Sequence, residues 1–103
     1  MKQVNQRDAI HYIATQQEFK ASALSGHADN TQHTGRLEGS EAGLYRASLS
    51  EIDYTVMSYG TPIAWHTLIG WYVVEQKFSS TTSKHQNYVR QAIAEANEMA
   101  VAE

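Results

Sequence analysis

The stretch IDYTVMSYGTPIAWHTLIGWYVVEQKF, residues 52–78, carries the strongest structural signal in the chain. Along residues 52–59 the side chains alternate, which places Ser58 on the same side as Tyr54 and Val56. The alternation returns over residues 63–67, and β-branched and aromatic residues fill the run from Trp71 to Phe78. A period of two with these residue types predicts β-strands that form a sheet.

Two turns compete to divide this stretch. Gly60-Thr61 has the glycine-first pattern of a two-residue hairpin turn. Pro62 would then stand where the closing pair needs an amide N–H, which proline lacks. The sequence therefore favours one long strand over residues 53–67, kinked or bulged at residues 60–62. The hairpin reversal is then predicted at Thr67-Leu68-Ile69-Gly70.

Helices are predicted on both sides of this stretch. Residues 4–17 carry apolar side chains at helical spacing, with Asn5 as the cap and Asp8 in the first turn. A second helix is predicted after the strands, where Ser83 and Gln86 have the spacing of a capping box. Thr81 or Thr82 could cap it instead. One stripe of that helix is apolar.

The remaining segments complete the predicted fold. Residues 18–25 alternate like a strand, residues 26–35 are polar and bounded by glycine like a loop, and residues 36–38 could pair back on the first strand. Residues 39–50 hold too few apolar side chains to decide between helix and strand. We therefore expect a single α+β domain over residues 1–103, an antiparallel sheet with an N-terminal and a C-terminal helix packed on one face.

The composition narrows the classes of function. The chain has 103 residues, no cysteine and a formal net charge of −3. Disulfides, thiol catalysis and thiolate metal sites are excluded, and the basic excess typical of nucleic-acid binding is absent. The sequence has no apolar run of transmembrane length and does not open on the apolar region of a secretory signal. We expect a cytoplasmic protein without membrane contact.

Two strings point to a family. In the same order, they resemble motifs of a family of small uncharacterised bacteriophage proteins with relatives in bacteria and plasmids. The strings are YTVMSYGTPIAWH (residues 54–66) and KFSSTTSKHQ (residues 77–86). The chain departs from that pattern at Phe78, where the family has tyrosine, and in the short turn between the strands. The resemblance implies a phage or mobile-element origin and hence the cytoplasm of a host bacterium. It implies no activity.

The second string is also a candidate anion site. Hydroxyls, free backbone N–H groups and the helix dipole meet where a helix begins, and a lysine adds positive charge. The simpler interpretation is that the hydroxyls cap the helix, and the sequence favours it. The candidate anion-binding residues are Ser80, Thr81, Thr82, Ser83, Lys84 and His85, and a nucleic-acid-binding version adds Lys77 and Arg90.

The first string holds candidate residues for a protein partner. Exposed aromatic side chains make good anchors in protein interfaces and can stack bases. The simpler interpretation is that the tryptophans fill the core, because Ile, Leu, Val and Phe together make only 19 residues. The candidate partner-binding residues are Tyr59, Thr61, Trp65, His66 and Trp71.

Other chemistry receives little support. His27, Asp29 and His33 include metal-binding types, but their spacing matches no standard site, and we predict no metal and no cofactor. No nucleophile-elbow or phosphate-loop signature is present. The sequence predicts a non-enzymatic module that binds a host or phage protein, with a nucleic-acid or anion-binding module as the alternative. A homodimer would cover the second face of the predicted sheet.

Overall fold

The computed structural model describes residues 2–102 and has three α-helices and five β-strands in this part of the chain. In chain order the elements are α1 (Gln6–Ala14), β1 (Phe19–Ala21), β2 (Leu24–His27), α2 (Gly39–Ser48), a 3-10 turn (Leu49–Glu51), β3 (Tyr54–Ser58), β4 (Thr61–Thr67), β5 (Gly70–Val73) and α3 (Ser80–Ala102). The strands form one antiparallel sheet in the order β1-β2-β3-β4-β5. The predicted α+β fold is confirmed.

The predicted long strand over residues 53–67 is wrong, because the chain reverses at Tyr59-Gly60. Both residues have positive φ, +51° and +76°, as a two-residue type I′ turn requires. The closing pair is Ser58 with Thr61, so Pro62 falls one residue beyond it, opposite Met57. The register then shifts by one residue, which leaves Ile63 as a bulge. The second predicted reversal, at residues 67–70, is confirmed.

The first strand segment also differs from the prediction. Residues 18–25 do not form one strand but fold back on themselves as the hairpin of β1 and β2. Ser22 adopts φ +58° in the connecting turn, a conformation that the alternating pattern does not signal. β2 pairs with β3, and residues 36–38 lie outside every strand. The predicted pairing of residues 36–38 is therefore wrong.

Helices α1 and α3 pack on one face of the sheet, as predicted. The Asn5 side chain caps α1 by accepting a hydrogen bond from the Asp8 N–H at 2.8 Å. Between these helices and the sheet lies the larger apolar core, whose members include Ile13, Phe19, Leu24, Tyr54, Val56, Ile63 and Val89.

Helix α2 packs on the other face of the sheet, against β4 and β5. Its buried Tyr45 meets the ring of Trp65 edge-on at 5.0 Å, and Tyr72 stacks on Trp65 at 5.0 Å. The Glu41 carboxylate fastens α2 to β5 and to the segment after it, because it accepts hydrogen bonds from the Tyr72 hydroxyl and from the Glu75 and Gln76 N–H groups. The second face of the sheet is therefore not bare, as the expectation of a homodimer assumed, because α2 packs on its β4–β5 part.

The structure also bears on membrane contact. Among residues 2–102, no helix combines the length and the apolar character that crossing a membrane requires.

Candidate functional site

The turn between β4 and β5 exposes two aliphatic side chains. The pair Thr67 and Gly70 closes this two-residue turn, and the Ile69 N–H donates to the Thr67 hydroxyl at 3.3 Å. Leu68 is 99 % exposed and Ile69 is 98 % exposed. The positive φ next to this turn, +116°, falls on Gly70, so the backbone itself admits Leu68 and Ile69. Exposed turn positions nevertheless ordinarily carry polar residues or glycine. Neither side chain contributes to the core.

Grooves lie on both sides of this turn. One, of about 160 Å³, opens between α2 and the β4–β5 hairpin, with Leu44 and Ser48 on the helix side and Trp65 and Tyr72 on the sheet side. The other is lined on one side by residues 50–53, the segment that leads from α2 into β3, and on the other side by residues 67–69 of the turn. The two aliphatic side chains therefore stand between two concave surfaces.

The charge in these grooves has one sign. Among the residues that line them, Glu51 and Asp53 are the only ones of the types Asp, Glu, Lys, Arg and His. Asp53 is fixed in place, because its N–H donates to the His66 carbonyl at 3.0 Å and its carboxylate lies 2.8 Å from His66 Nδ1. Tyr72 remains neutral, since burial and, to a smaller extent, the hydrogen bond to Glu41 raise its pKa to about 12.

The exposed aliphatic side chains and the acidic residues of the two grooves form one surface at this end of the molecule. We call it the tip surface and define it by Leu44, Glu51, Asp53, Leu68 and Ile69.

The structure separates the five predicted partner-binding residues. Thr61 and Trp65 are buried, Trp65 to 2 % exposure, and the Thr61 hydroxyl accepts a hydrogen bond from the Arg36 N–H. His66 and Trp71 are half-buried beside the tip surface, with ring centroids 5.2 Å apart. Tyr59 is 56 % exposed but lies at the opposite end of β4.

The sequence prediction missed Leu68, Ile69 and Leu44. The turn itself was predicted, and the available signal was its composition, since two aliphatic residues are rare at a hairpin turn. Leu44 could not be assigned, because its exposure depends on how α2 docks.

The predicted anion site divides into an exposed and a buried part. Helix α3 begins three residues before the predicted cap Ser83: the Ser79 hydroxyl accepts from the Thr82 N–H at 3.2 Å, and the Ser79 carbonyl accepts from the Ser83 N–H. Gln86 forms no capping box, since its side chain donates to the Val74 carbonyl. Four of the six residues, Ser80, Thr81, Ser83 and Lys84, are exposed, whereas Thr82 and His85 are buried.

The two buried residues join Ser58 in a polar cluster between α3 and β3. Ser58 Oγ lies 2.7 Å from His85 Nδ1 and 3.2 Å from Thr82 Oγ1. Burial, with a smaller effect of Lys84, lowers the pKa of His85, which keeps the imidazole neutral. His85 Nε2 has no hydrogen-bond partner within the described structure. Residues 54–66 and 77–86 meet here, the first supplying Ser58 and the second Thr82 and His85.

The loop residues with metal-binding side chains do not converge. His27 hydrogen-bonds Ser25 at 2.9 Å, and Asp29 and His33 are exposed. Over residues 2–102, no three His, Cys, Asp or Glu residues are grouped as metal ligands would be.

Comparison with known proteins identifies a family for this chain. A protein-family model described as a family of unknown function, DUF8033, matches residues 10–100, which is most of the chain. No curated protein and no solved structure matches.

Proposed function

This chain belongs to the DUF8033 family, whose function is unknown, and from its site geometry we propose that it is a non-enzymatic module that binds a partner protein through the tip surface. The partner is a host or phage protein. The resemblance of residues 54–66 and 77–86 to small phage proteins supports a phage or mobile-element origin of this chain, and hence a partner from the phage or its host.

The observation that carries the proposal is the exposure of Leu68 and Ile69. Burying one such side chain contributes about 1.5–3 kcal/mol. In the free protein neither residue makes that contribution, whereas eight Ile, Leu and Val side chains are buried in the core and others pack against it. A pair of them at a projecting turn, between two grooves, is typical of an interface anchor.

The grooves indicate what the partner presents. Glu51 and Asp53 place negative charge beside the aliphatic pair, with no lysine or arginine among the lining residues. A partner surface with an apolar patch next to lysine or arginine would match both features. The charges would contribute more to the rate of association and to specificity than to affinity.

A binding role is better supported than a catalytic one. Two serine–histidine pairs approach as a nucleophile and base would: Ser25 with His27 at 2.9 Å, half-buried, and Ser58 with His85 at 2.7 Å, fully buried. In the described structure neither histidine is hydrogen-bonded to a carboxylate that would orient it as a base. A substrate could reach Ser58 and His85 only by opening the packing between α3 and β3. The anion-binding alternative also loses support, because Thr82 and His85 point into the same buried cluster.

The test is capture of the partner with matched variants. The tagged protein is expressed in a bacterial host, and co-purifying proteins are quantified by mass spectrometry for the parent, for Leu68→Ser/Ile69→Ser and for Met99→Ser. Met99 is an exposed apolar residue on α3, 38 % accessible, and serves as the control. We expect the double variant to retain at most a tenth of the partner, because two anchors are lost.

Circular dichroism of all three proteins would verify that the fold is intact. The proposal is wrong if the double variant and the parent enrich the same proteins to the same extent.

A further inference from the structure

Strand β5 is an edge of the sheet. It pairs with β4 on one side only, since it stands last in the strand order. The Val74 N–H, just beyond the strand, donates inward to the Ile63 carbonyl at 2.9 Å. Because hydrogen-bonding direction alternates along an antiparallel strand, the N–H and C=O groups of Trp71 and Val73 point outward. The edge therefore offers two donors and two acceptors.

The opposite edge of the sheet is already occupied. The Val4 N–H donates to the Lys20 carbonyl at 2.9 Å, and the Lys20 N–H donates to the Lys2 carbonyl at 2.7 Å. The N-terminal segment thus pairs with β1 in the manner of a short parallel strand. No such segment of the described chain pairs with the outer side of β5. An unpaired edge is a template for another strand.

The free edge adjoins the tip surface. Gly70 and Tyr72 of β5 line the groove beneath α2, next to Ile69. Gly70 has no side chain, and a Cβ placed there would meet nothing within 4 Å. A strand lying along β5 would therefore place every second side chain over this open groove.

We propose that the partner docks by adding an extended segment to β5 as a sixth strand. Main-chain hydrogen bonds to Trp71 and Val73 hold the segment, and an apolar side chain enters the groove beside Ile69. A lysine or arginine of the segment lies against Glu51. This inference rests on the proposed function and specifies the kind of partner: an extended, basic and apolar peptide segment.

Charge favours such a segment over a second copy of this chain. Two copies could pair their β5 strands about a two-fold axis, with Trp71 of one copy opposite Val73 of the other. In that register Glu75 of each copy lies opposite Ile69 of the other, so a charged residue faces an apolar one. Both copies would further bring their acidic grooves, each with Glu51, to the same junction. A basic segment meets neither obstacle.

The test uses peptides selected from a random 12-residue library displayed on yeast, with the intact protein as the target. The tightest binder, made as a synthetic peptide, is then added to the protein, and amide hydrogen exchange is followed by NMR. We expect exchange of the Trp71 and Val73 amides to slow at least ten-fold on binding. The selected sequences should share an apolar position and a lysine or arginine.

A matched pair of variants separates main-chain from side-chain contacts. Val73→Pro removes the outward N–H, whereas Val73→Ala keeps it and only shortens the side chain. Proline should weaken peptide binding at least ten-fold relative to alanine. Thermal melting checks that both variants fold, and the exchange measurement on the parent protein decides the matter if the proline variant does not.

Strand addition is overturned if the selection yields no binder, or if the bound peptide leaves the Trp71 and Val73 amides unprotected. If partner capture still depends on Leu68 and Ile69 in that case, the proposed function stands without it. If partner capture is also insensitive to Leu68 and Ile69, then both binding through the tip surface and strand addition to β5 are wrong.

Discussion

The side chain of His85 connects the two motifs of the chain through a single short hydrogen bond. Its Nδ1 lies 2.7 Å from the Ser58 hydroxyl, at a point where α3 crosses β3. A buried imidazole is tolerated in the neutral form and is costly when protonated. The environment of His85 is consistent with this, since burial lowers its pKa. We interpret the cluster as the polar fastening of α3 to the sheet.

A pH dependence of stability follows at this residue. In the unfolded chain histidine titrates near 6.5, whereas folded His85 binds a proton only at lower pH. The unfolded state therefore binds more protons below pH 6.5, so stability falls as the pH is lowered from 7 to 5. The slope contributed by one histidine is at most about 1.4 kcal/mol per pH unit.

Urea unfolding at pH 7, 6 and 5 measures that slope. We expect His85→Asn to be less stable than the parent at pH 7 but to lose less stability on acidification. His33→Asn, at an exposed loop position, is the control. An unchanged slope in the His85 variant would show that this side chain does not carry the effect.

Part of this residue-scale arrangement could be read from the sequence. The alternation over residues 52–59 already placed Ser58, a polar residue, on the same face as Tyr54 and Val56. A polar side chain on a face that packs against a core needs a buried partner. The sequence could not name His85 as that partner, because residues 27 positions apart meet only through the tertiary fold.

At the scale of elements, local signals were sufficient for α1, for the β4–β5 hairpin and for the presence of α3. The exact positions of the helix caps and of the β3–β4 turn depended on backbone conformations and hydrogen bonds that the sequence pattern does not show. Tyr59 takes a positive φ although it is not glycine, so the β3–β4 turn begins one residue earlier than the glycine-first pattern indicates. Helix α2 has no apolar period, since Ala42 and Tyr45 are its only buried residues, and the contact with Trp65 holds it.

The start of α3 gives an element-scale prediction. Ser79 is the residue whose hydroxyl accepts a hydrogen bond from the first turn, whereas Ser83 lies exposed within the helix. Ser79→Ala should therefore cost about 1 kcal/mol of stability. Ser83→Ala should change stability by less than about 0.5 kcal/mol. Chemical denaturation of the two variants beside the parent measures the difference, and equal losses would contradict the assignment of the cap.

At the scale of the whole molecule, helices pack on both faces of the sheet, and within residues 2–102 one of its two edges is occupied. Helices α1 and α3 pack on one face, α2 packs on the other, and the N-terminal segment lies along β1. What is left is β5 with the projecting turn beside it. The uncovered edge, the exposed aliphatic pair and the acidic grooves therefore occur together at one end of the molecule.

The candidate site was only partly predictable from the sequence for the same reason. Exposure of a side chain depends on every element that packs around it, so Trp65 could not be distinguished from Trp71 by local pattern. The structure buries the first against Tyr45 and Tyr72 and leaves the second half-buried near the tip surface. It also places Tyr59 and Ile69 at opposite ends of β4, roughly 25 Å apart at the usual rise per residue.

That separation makes photo-cross-linking the most direct test of the proposed binding surface. The photoreactive residue p-benzoylphenylalanine replaces Ile69 in one protein and Tyr59 in another, and each is irradiated in the bacterial host that supplies the partner. We predict a cross-linked partner from position 69 and none from position 59. A partner that cross-links from position 59 and not from position 69 would contradict binding through the tip surface.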